Sequence, residues 1–295
     1  VTTPDGRTLT VEVSGDSAGT TVFLLHGTPG SRNGPKPRGS VLYRLGVKLV
    51  TYDRPGYGGS TRQFNRTVAD AAADIGAVAD ALGFDRFAVV GRSGGGPHAL
   101  ACAALLPDRL IRTAVLVGIA PSDATGLDWF DGMADDNVRE YSTADNDFDI
   151  LIERLRVRAE RTVSDPESLI ELLRTQMAEP DRYVTDSLAL RRMLAETYTE
   201  ALRHGPGGWI DDVLAFRKDW GFDLATISSP VRLWHGADDT FSPASHARWL
   251  ASRIPGAEVQ VQRNAAHFGA ISVLPEILAW LTASQPDQLQ PSSAG

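Results

Sequence analysis

The chain has 295 residues, 42% of them hydrophobic, which is enough to bury a full core in one large domain with an insertion or in two small domains. Its formal net charge of −8 argues against a nucleic-acid surface, which needs a basic patch. No run of about 18 apolar residues could cross a membrane, and the first residues lack the basic and apolar regions of a signal peptide, so a cytoplasmic chain acting on a small molecule is expected. Val1 stands where a natural start carries methionine, which reads as a trimmed beginning.

The first predicted element is a hairpin over residues 1–14. Asp5-Gly6 is a two-residue turn signal, and Leu9, Val11 and Val13 alternate with Thr10 and Glu12. A strand at 21–25 leads into His26-Gly27-Thr28-Pro29-Gly30, where His26 braces a loop rather than moving protons. A second at 48–52 leads into Asp53-Arg54-Pro55-Gly56-Tyr57-Gly58-Gly59-Ser60, a turn-rich loop whose aspartate and arginine are expected to fix it by internal hydrogen bonds. A helix follows at 68–82.

The strand at 86–90 runs directly into Gly91-Arg92-Ser93-Gly94-Gly95, with a helix predicted over 97–106. A serine between glycines at a strand-to-helix turn has the form of a nucleophile elbow, because the turn is crowded and strained and only small neighbours fit it. The helix that follows aims its free N–H groups and positive dipole end at charge developing beside the serine oxygen. Pro97 suits the first helical turn, where no N–H is needed, and Pro107 closes the helix. Cys102 on this helix, the single cysteine, lies among alanines and reads as packing.

After a strand at 113–117 the alternation stops. Residues 121–219 contain no convincing strand but carry helical apolar spacing at 148–163, 166–177 and 183–204. Strands resume at 231–234 and 258–261, with helices at 243–253 and 274–282. Apolar runs of this kind suit parallel strands covered on both faces, so the pattern predicts a doubly wound, mostly parallel α/β sheet. The expected division is a core domain in two parts, 1–120 and 220–284, an all-helical cap at 121–219 over the sheet's C-terminal edge, and a Gln-, Pro- and Ser-rich disordered tail at 285–295. Trp129, Phe130, Phe148, Tyr198 and Trp209 are candidate pocket walls, although aromatics at helical spacing more often pack within the cap itself.

Two late loops complete a serine site. His235-Gly236-Ala237-Asp238-Asp239 follows the strand at 231–234, and the spacing Gly-x-x-Asp picks Asp239 and leaves Asp238 as a turn residue, although turns after strands attract aspartate whatever the chemistry. His267 lies in a loop after the last strand, in the chain order serine, acid, histidine, and is the candidate base. His98, His204, His235 and His246 read as structural. A phosphate-cradling G-x-x-x-x-G-K-[ST] loop is missing, as is an H-E-x-x-H pair, and one cysteine cannot build a zinc site.

Taken in order, His26 to Gly30, Asp53 to Gly58, Gly91 to Gly95, Gly236 to Asp239 and His267 resemble the motifs of the α/β-hydrolase fold superfamily over nearly the whole chain. The resemblance implies a Ser93, Asp239, His267 triad, an oxyanion hole from the backbone N–H groups of Thr28 and Gly94, and no metal or organic cofactor. Because Ser93 occupies the elbow, it counts against the epoxide hydrolases and haloalkane dehalogenases of this fold, which use aspartate there. The implied activity is cleavage of a carboxylic ester, thioester or lactone. A second expectation is non-hydrolytic use of the same pocket, by a cofactor-free lyase or cyclase or by a ligand-binding relative.

Overall fold

In the computed structural model, residues 1–283 are described; the tail reading at 285–295 lies outside them. The first half contains β1 (Val11–Gly15), β2 (Thr20–Leu25), α1 (Gly39–Arg44), β3 (Val47–Tyr52), α2 (Asp70–Leu82), β4 (Phe87–Arg92), α3 (Gly95–Leu105) and β5 (Leu110–Leu116). Six helices come next: α4 (Asp135–Asn146), α5 (Phe148–Ser164), α6 (Glu167–Arg174), α7 (Glu179–Thr185), α8 (Leu188–Leu202) and α9 (Gly207–Phe216). The chain then returns through β6 (Val231–Gly236), α10 (Ala244–Arg253), β7 (Glu258–Gln262) and α11 (Gly269–Thr282).

The seven strands form one sheet in the order β1-β3-β2-β4-β5-β6-β7, with β1 antiparallel to β3 and every other pairing parallel. Alternation along the strands explains why both faces are covered. Val22, Leu24, Ala88 and Val90 pack with Leu42 of α1 and with Leu274, Ile277 and Leu278 of α11. Their neighbours Phe23, Leu25, Phe87 and Val89 pack on the other face with Ile75 and Val78 of α2 and Ala99 and Cys102 of α3. Successive strand residues therefore serve opposite layers, and the apolar runs are the sequence signature of that burial.

The N-terminal reading is corrected in part. A tight turn does form, with Val1 and Leu9 exchanging backbone hydrogen bonds at 2.8 and 2.9 Å and Thr2 bridging Thr8. The following strand, however, leaves this turn and pairs with β3.

The helix predicted over 183–204 is two helices. Thr185 ends α7, and the Ser187 side chain accepts the Leu190 N–H at the start of α8. The early helices of the insertion bring Leu151, Leu155, Leu169 and Leu194 into one apolar cluster with Trp209 and Val213 of α9. Phe241 and Phe268, from the loops after β6 and β7, belong to the same cluster, so the helical insertion packs on the C-terminal ends of the parallel strands.

Candidate active site

Four loops meet at those strand ends, the usual place for a ligand site in a parallel sheet. Ser93 directly follows β4 with φ of +53°, an uncommon conformation for a residue with a side chain. Its N–H donates to Leu116 O at 2.8 Å and its carbonyl accepts from Gly96 N–H at 2.8 Å, which locks the turn. The glycines are required by approach: a Cβ at Gly91 would strike the Gly95 carbonyl, and one at Gly95 would strike Leu25 O.

Asp239 follows β6 and is fully buried. Its Oδ1 accepts from the backbone N–H groups of Phe241 and Ser242 at 2.8 and 3.0 Å, and its Oδ2 meets His267 Nδ1 at 2.8 Å. Burial alone would raise this carboxyl, but His267 and His235 outweigh it and hold the group well below the usual carboxylate range. Conversely, burial would lower the His267 imidazole, and the Asp239 carboxylate outweighs that and raises it. The imidazole's hydrogen bonds run through Nδ1, to Asp239 and at 3.4 Å to Ser242, leaving Nε2 without a partner among the described residues. Ser93 and His267 line one cavity, although their side chains are not hydrogen-bonded here; such contacts often tighten only with substrate.

The loop after β2 lies against the elbow. A Cβ at Gly27 would sit 3.4 Å from Ser93 Cβ, and one at Gly94 would sit 2.8 Å from Thr28 Cβ. The backbone N–H groups of Thr28 and Gly94 have no main-chain acceptor among the described turn and loop hydrogen bonds. The two residues that carry these N–H groups are thus in close approach beside Ser93.

A buried ionic cluster holds this loop in place. Arg54 donates to the carbonyls of His26 and Gly27 and to the Asp212 carboxylate, while Asp212 also accepts from Thr28 Oγ1 at 2.6 Å, Arg66 Nη2 at 2.6 Å and Tyr57 Oη at 2.8 Å. Burial pushes the Asp212 carboxyl up, but Arg54 and Arg66 outweigh it and hold it well below the usual range. Since Asp212 belongs to α9, the helical insertion is tied to the site by charge as well as by apolar packing.

With that geometry in view, the sequence profile of the alpha/beta hydrolase fold matches residues 20–272. This chain belongs to the alpha/beta hydrolase fold family. It is similar to the putative carbamate hydrolase RutD of a Caulobacter species, at 30% identity over 84% of this chain and 83% of that one. It is also similar to a 2-hydroxy-6-oxononadienedioate/2-hydroxy-6-oxononatrienedioate hydrolase of Klebsiella pneumoniae, at 24% identity over 89% of this chain and 86% of that one. Among solved structures, the thermophilic esterase of Thermogutta terrifontis superposes with a TM-score of 0.68 at 20% identity, covering 96% of this chain and 97% of the esterase, a likeness of fold.

The walls of the cavity in this alpha/beta hydrolase fold chain correct part of the sequence reading. Tyr198 and Trp209 line it, Trp209 donating to Glu140 Oε1 at 2.8 Å. Trp129 instead packs in a separate core cluster with Phe130 against it, its indole donating to Ala120 O at 2.9 Å. Phe148 begins α5 with nearly half its surface exposed. None of these three is among the described lining residues. The histidines read as structural behave as bracing groups where they are buried: His26 accepts from Arg54 N–H at 3.1 Å, His98 meets Gly94 O at 2.7 Å, and His246 accepts from Ala120 N–H at 3.0 Å. Asp53 is likewise internal, accepting the backbone N–H groups of Arg32 and Gly59 at 2.7 and 3.0 Å.

Sequence reasoning passed over Asp181. This α7 carboxylate, buried and pushed up to about 6 by that burial, accepts the backbone N–H groups of His267 and Phe268 at 3.0 and 2.7 Å. It fixes the loop that carries the histidine. No spacing rule links position 181 to position 267; the preceding Glu-Pro dipeptide of a short helix is the one local signal.

Proposed function

We propose that this protein is a serine hydrolase that cleaves a carboxylic ester, thioester or lactone of a small molecule. The observation that carries the reading is the Asp239–His267 pair, whose free Nε2 belongs to an imidazole lining the same cavity as Ser93. His267 Nε2 takes the Ser93 hydroxyl proton as the oxygen attacks the carbonyl carbon. The Thr28 and Gly94 N–H groups receive the oxyanion, and Asp239 keeps Nδ1 protonated and stabilises the imidazolium. Collapse of the tetrahedral intermediate expels the alcohol or thiol, which receives the proton from His267. Water, deprotonated by the same imidazole, then attacks the acyl-enzyme and releases the acid.

In this reading the helical insertion serves as a cap: it supplies cavity walls and shields the reacting charges from water. The relatives' names agree on hydrolysis and differ in the substrate, a carbamate in one and a dioate in another. The choice of an ester-type bond rests on the serine chemistry. The test is acid release from a panel of short esters, thioesters and lactones, parent beside Ser93→Ala. The expected result is turnover by the parent and loss of about 10⁴-fold or more in kcat in a folded variant. Turnover retained by the variant would refute Ser93 as nucleophile, and ligand binding without acid release by the parent would favour a non-hydrolytic protein.

A further inference from the structure

The residue between Gly91 and Ser93 is a charged one. Arg92 ends β4 and lines the cavity with Ser93 and His267. Its Nη1 is buried and has no hydrogen-bond partner among the described residues. Burial lowers its pKa; the Tyr198 hydroxyl is the group acting in the other direction, and no carboxylate contributes. A guanidinium nonetheless stays protonated in a protein, so a full positive charge lines the cavity with no carboxylate within 4.0 Å among the described residues; the cavity's two acids, Asp136 and Glu140, pair with Arg158.

Arg92 is half-buried and its side chain has no hydrogen-bond partner among the described residues, whereas the buried Arg112, which also lacks a carboxylate, donates to the carbonyls of Trp280 and Ala283, and four further arginines pair with acids. Arg54 and Arg66 share Asp212, Arg7 pairs with Asp74 at 2.7 Å, and Arg158, at another part of the same cavity wall, pairs with Glu140 and Asp136 at 3.2 and 3.3 Å. A charge partly withdrawn from water without an opposite charge beside it is costly, and the cost is relieved when a ligand brings that charge.

We propose that Arg92 is the receptor for a carboxylate on the substrate, so that the enzyme acts on esters that carry a second, free acid group on an otherwise apolar body. This deepens the hydrolase reading and, for its turnover part, rests on it. One guanidinium supplies one charge in a planar fork that matches a carboxylate. A phosphate dianion would need further cations, and the cavity's remaining arginine, Arg158, is already neutralised. The apolar body is accommodated by Leu169, Leu172, Leu194 and Phe241. Because Arg92 and Ser93 line one cavity, an acid group held by the first and a scissile carbonyl at the second belong to one small molecule, which favours short diacid half-esters.

Two arms test this. The first compares hydrolysis of p-nitrophenyl hydrogen glutarate with p-nitrophenyl valerate by the parent, Arg92→Met and Arg92→Lys, all checked for fold by circular dichroism. The parent should prefer the charged ester, and the ratio of the two kcat/KM values should fall by about 30-fold or more in Arg92→Met, the loss typical of removing one partner of a desolvated charge pair. Arg92→Lys should keep part of the preference. The second arm titrates monomethyl and dimethyl adipate into the Ser93→Ala protein by calorimetry, with and without Arg92→Met, so binding is read even if no ester is turned over. Tighter binding of the monoacid, lost with Arg92→Met, supports the inference even if no ester is turned over. A parent that prefers the neutral ester and binds both adipates alike would overturn it, as would a ratio that stays within about threefold in Arg92→Met.

Discussion

Replacing Asp212 with alanine is expected to be the most destabilising single change near the site. The carboxylate is fully buried and shared by two guanidiniums that are themselves buried, Arg54 and Arg66, with Tyr57 and Thr28 completing its coordination. Alanine leaves both cations with neutral partners only, the carbonyls of His26 and Gly27 for Arg54 and that of Gly208 for Arg66, because His98, 3.7 Å from the carboxylate, is driven down to about 3 by burial and supplies no charge. Breaking one such buried pair costs about 3–5 kcal/mol. For a chain of this length each kcal/mol moves the midpoint of thermal unfolding by roughly 2 °C, so Asp212→Ala should melt about 6–10 °C below the parent. Asp212→Asn, which keeps the shape and an acceptor but removes the charge, should lie between them. The pH dependence has a definite sign: a carboxyl held below its unfolded value of 3.8 contributes stability above that value and loses it as the pH falls through the folded one. The deficit of Asp212→Ala in urea unfolding should thus be constant from about pH 5 to 8 and shrink in stronger acid. A variant within about 1 kcal/mol of the parent at pH 7 would refute the argument, because the two arginines would then be satisfied without the carboxylate.

Other outcomes follow from the same coordinates. In Gly94→Ala the new methyl strikes the Thr28 side chain and comes 3.1 Å from Phe216, pushing apart the two proposed oxyanion donors; kcat should fall about 10²- to 10³-fold and stability by about 1–3 kcal/mol, read by steady-state kinetics beside a melt. Since Asp239 raises the His267 imidazole above 6.5, kcat/KM should climb with pH along a limb centred above that value, and a limb centred below 6 would contradict the pairing. Asp181→Ala removes the acceptor for two backbone N–H groups of the histidine loop; it should cost about 1–3 kcal/mol and lower kcat more than it raises KM, whereas parent-like kinetics would show that the loop holds itself.

The parts legible in the sequence were those with local causes. Strands covered on both faces leave apolar runs, so β2 to β6 were readable; β7, an exposed edge strand, showed only the alternation of Val259 and Val261, and the elbow's glycines follow from crowding at Ser93. Helices without such a signature were missed: α4 buries no residue fully, and α9 opens on Gly207-Gly208. The pairing of β1 with β3 was hidden because a strong turn signal at Asp5-Gly6 pointed to the nearer partner. Within the site, residues tied to the chain order of the motifs were visible, whereas Asp212 and Asp181 act on groups far away in sequence and carry no mark of their own. Arg92 was overlooked for a different reason: it fills a variable position in a motif, and its importance lies in the absence of a neighbouring acid, which only three dimensions disclose.

The central claim is that Ser93 is an activated nucleophile, and intact mass after exposure to a fluorophosphonate probe tests it without knowledge of the substrate. The parent should gain a single adduct that is absent from Ser93→Ala. A folded parent that gains none, or a variant that is labelled equally, would contradict the account.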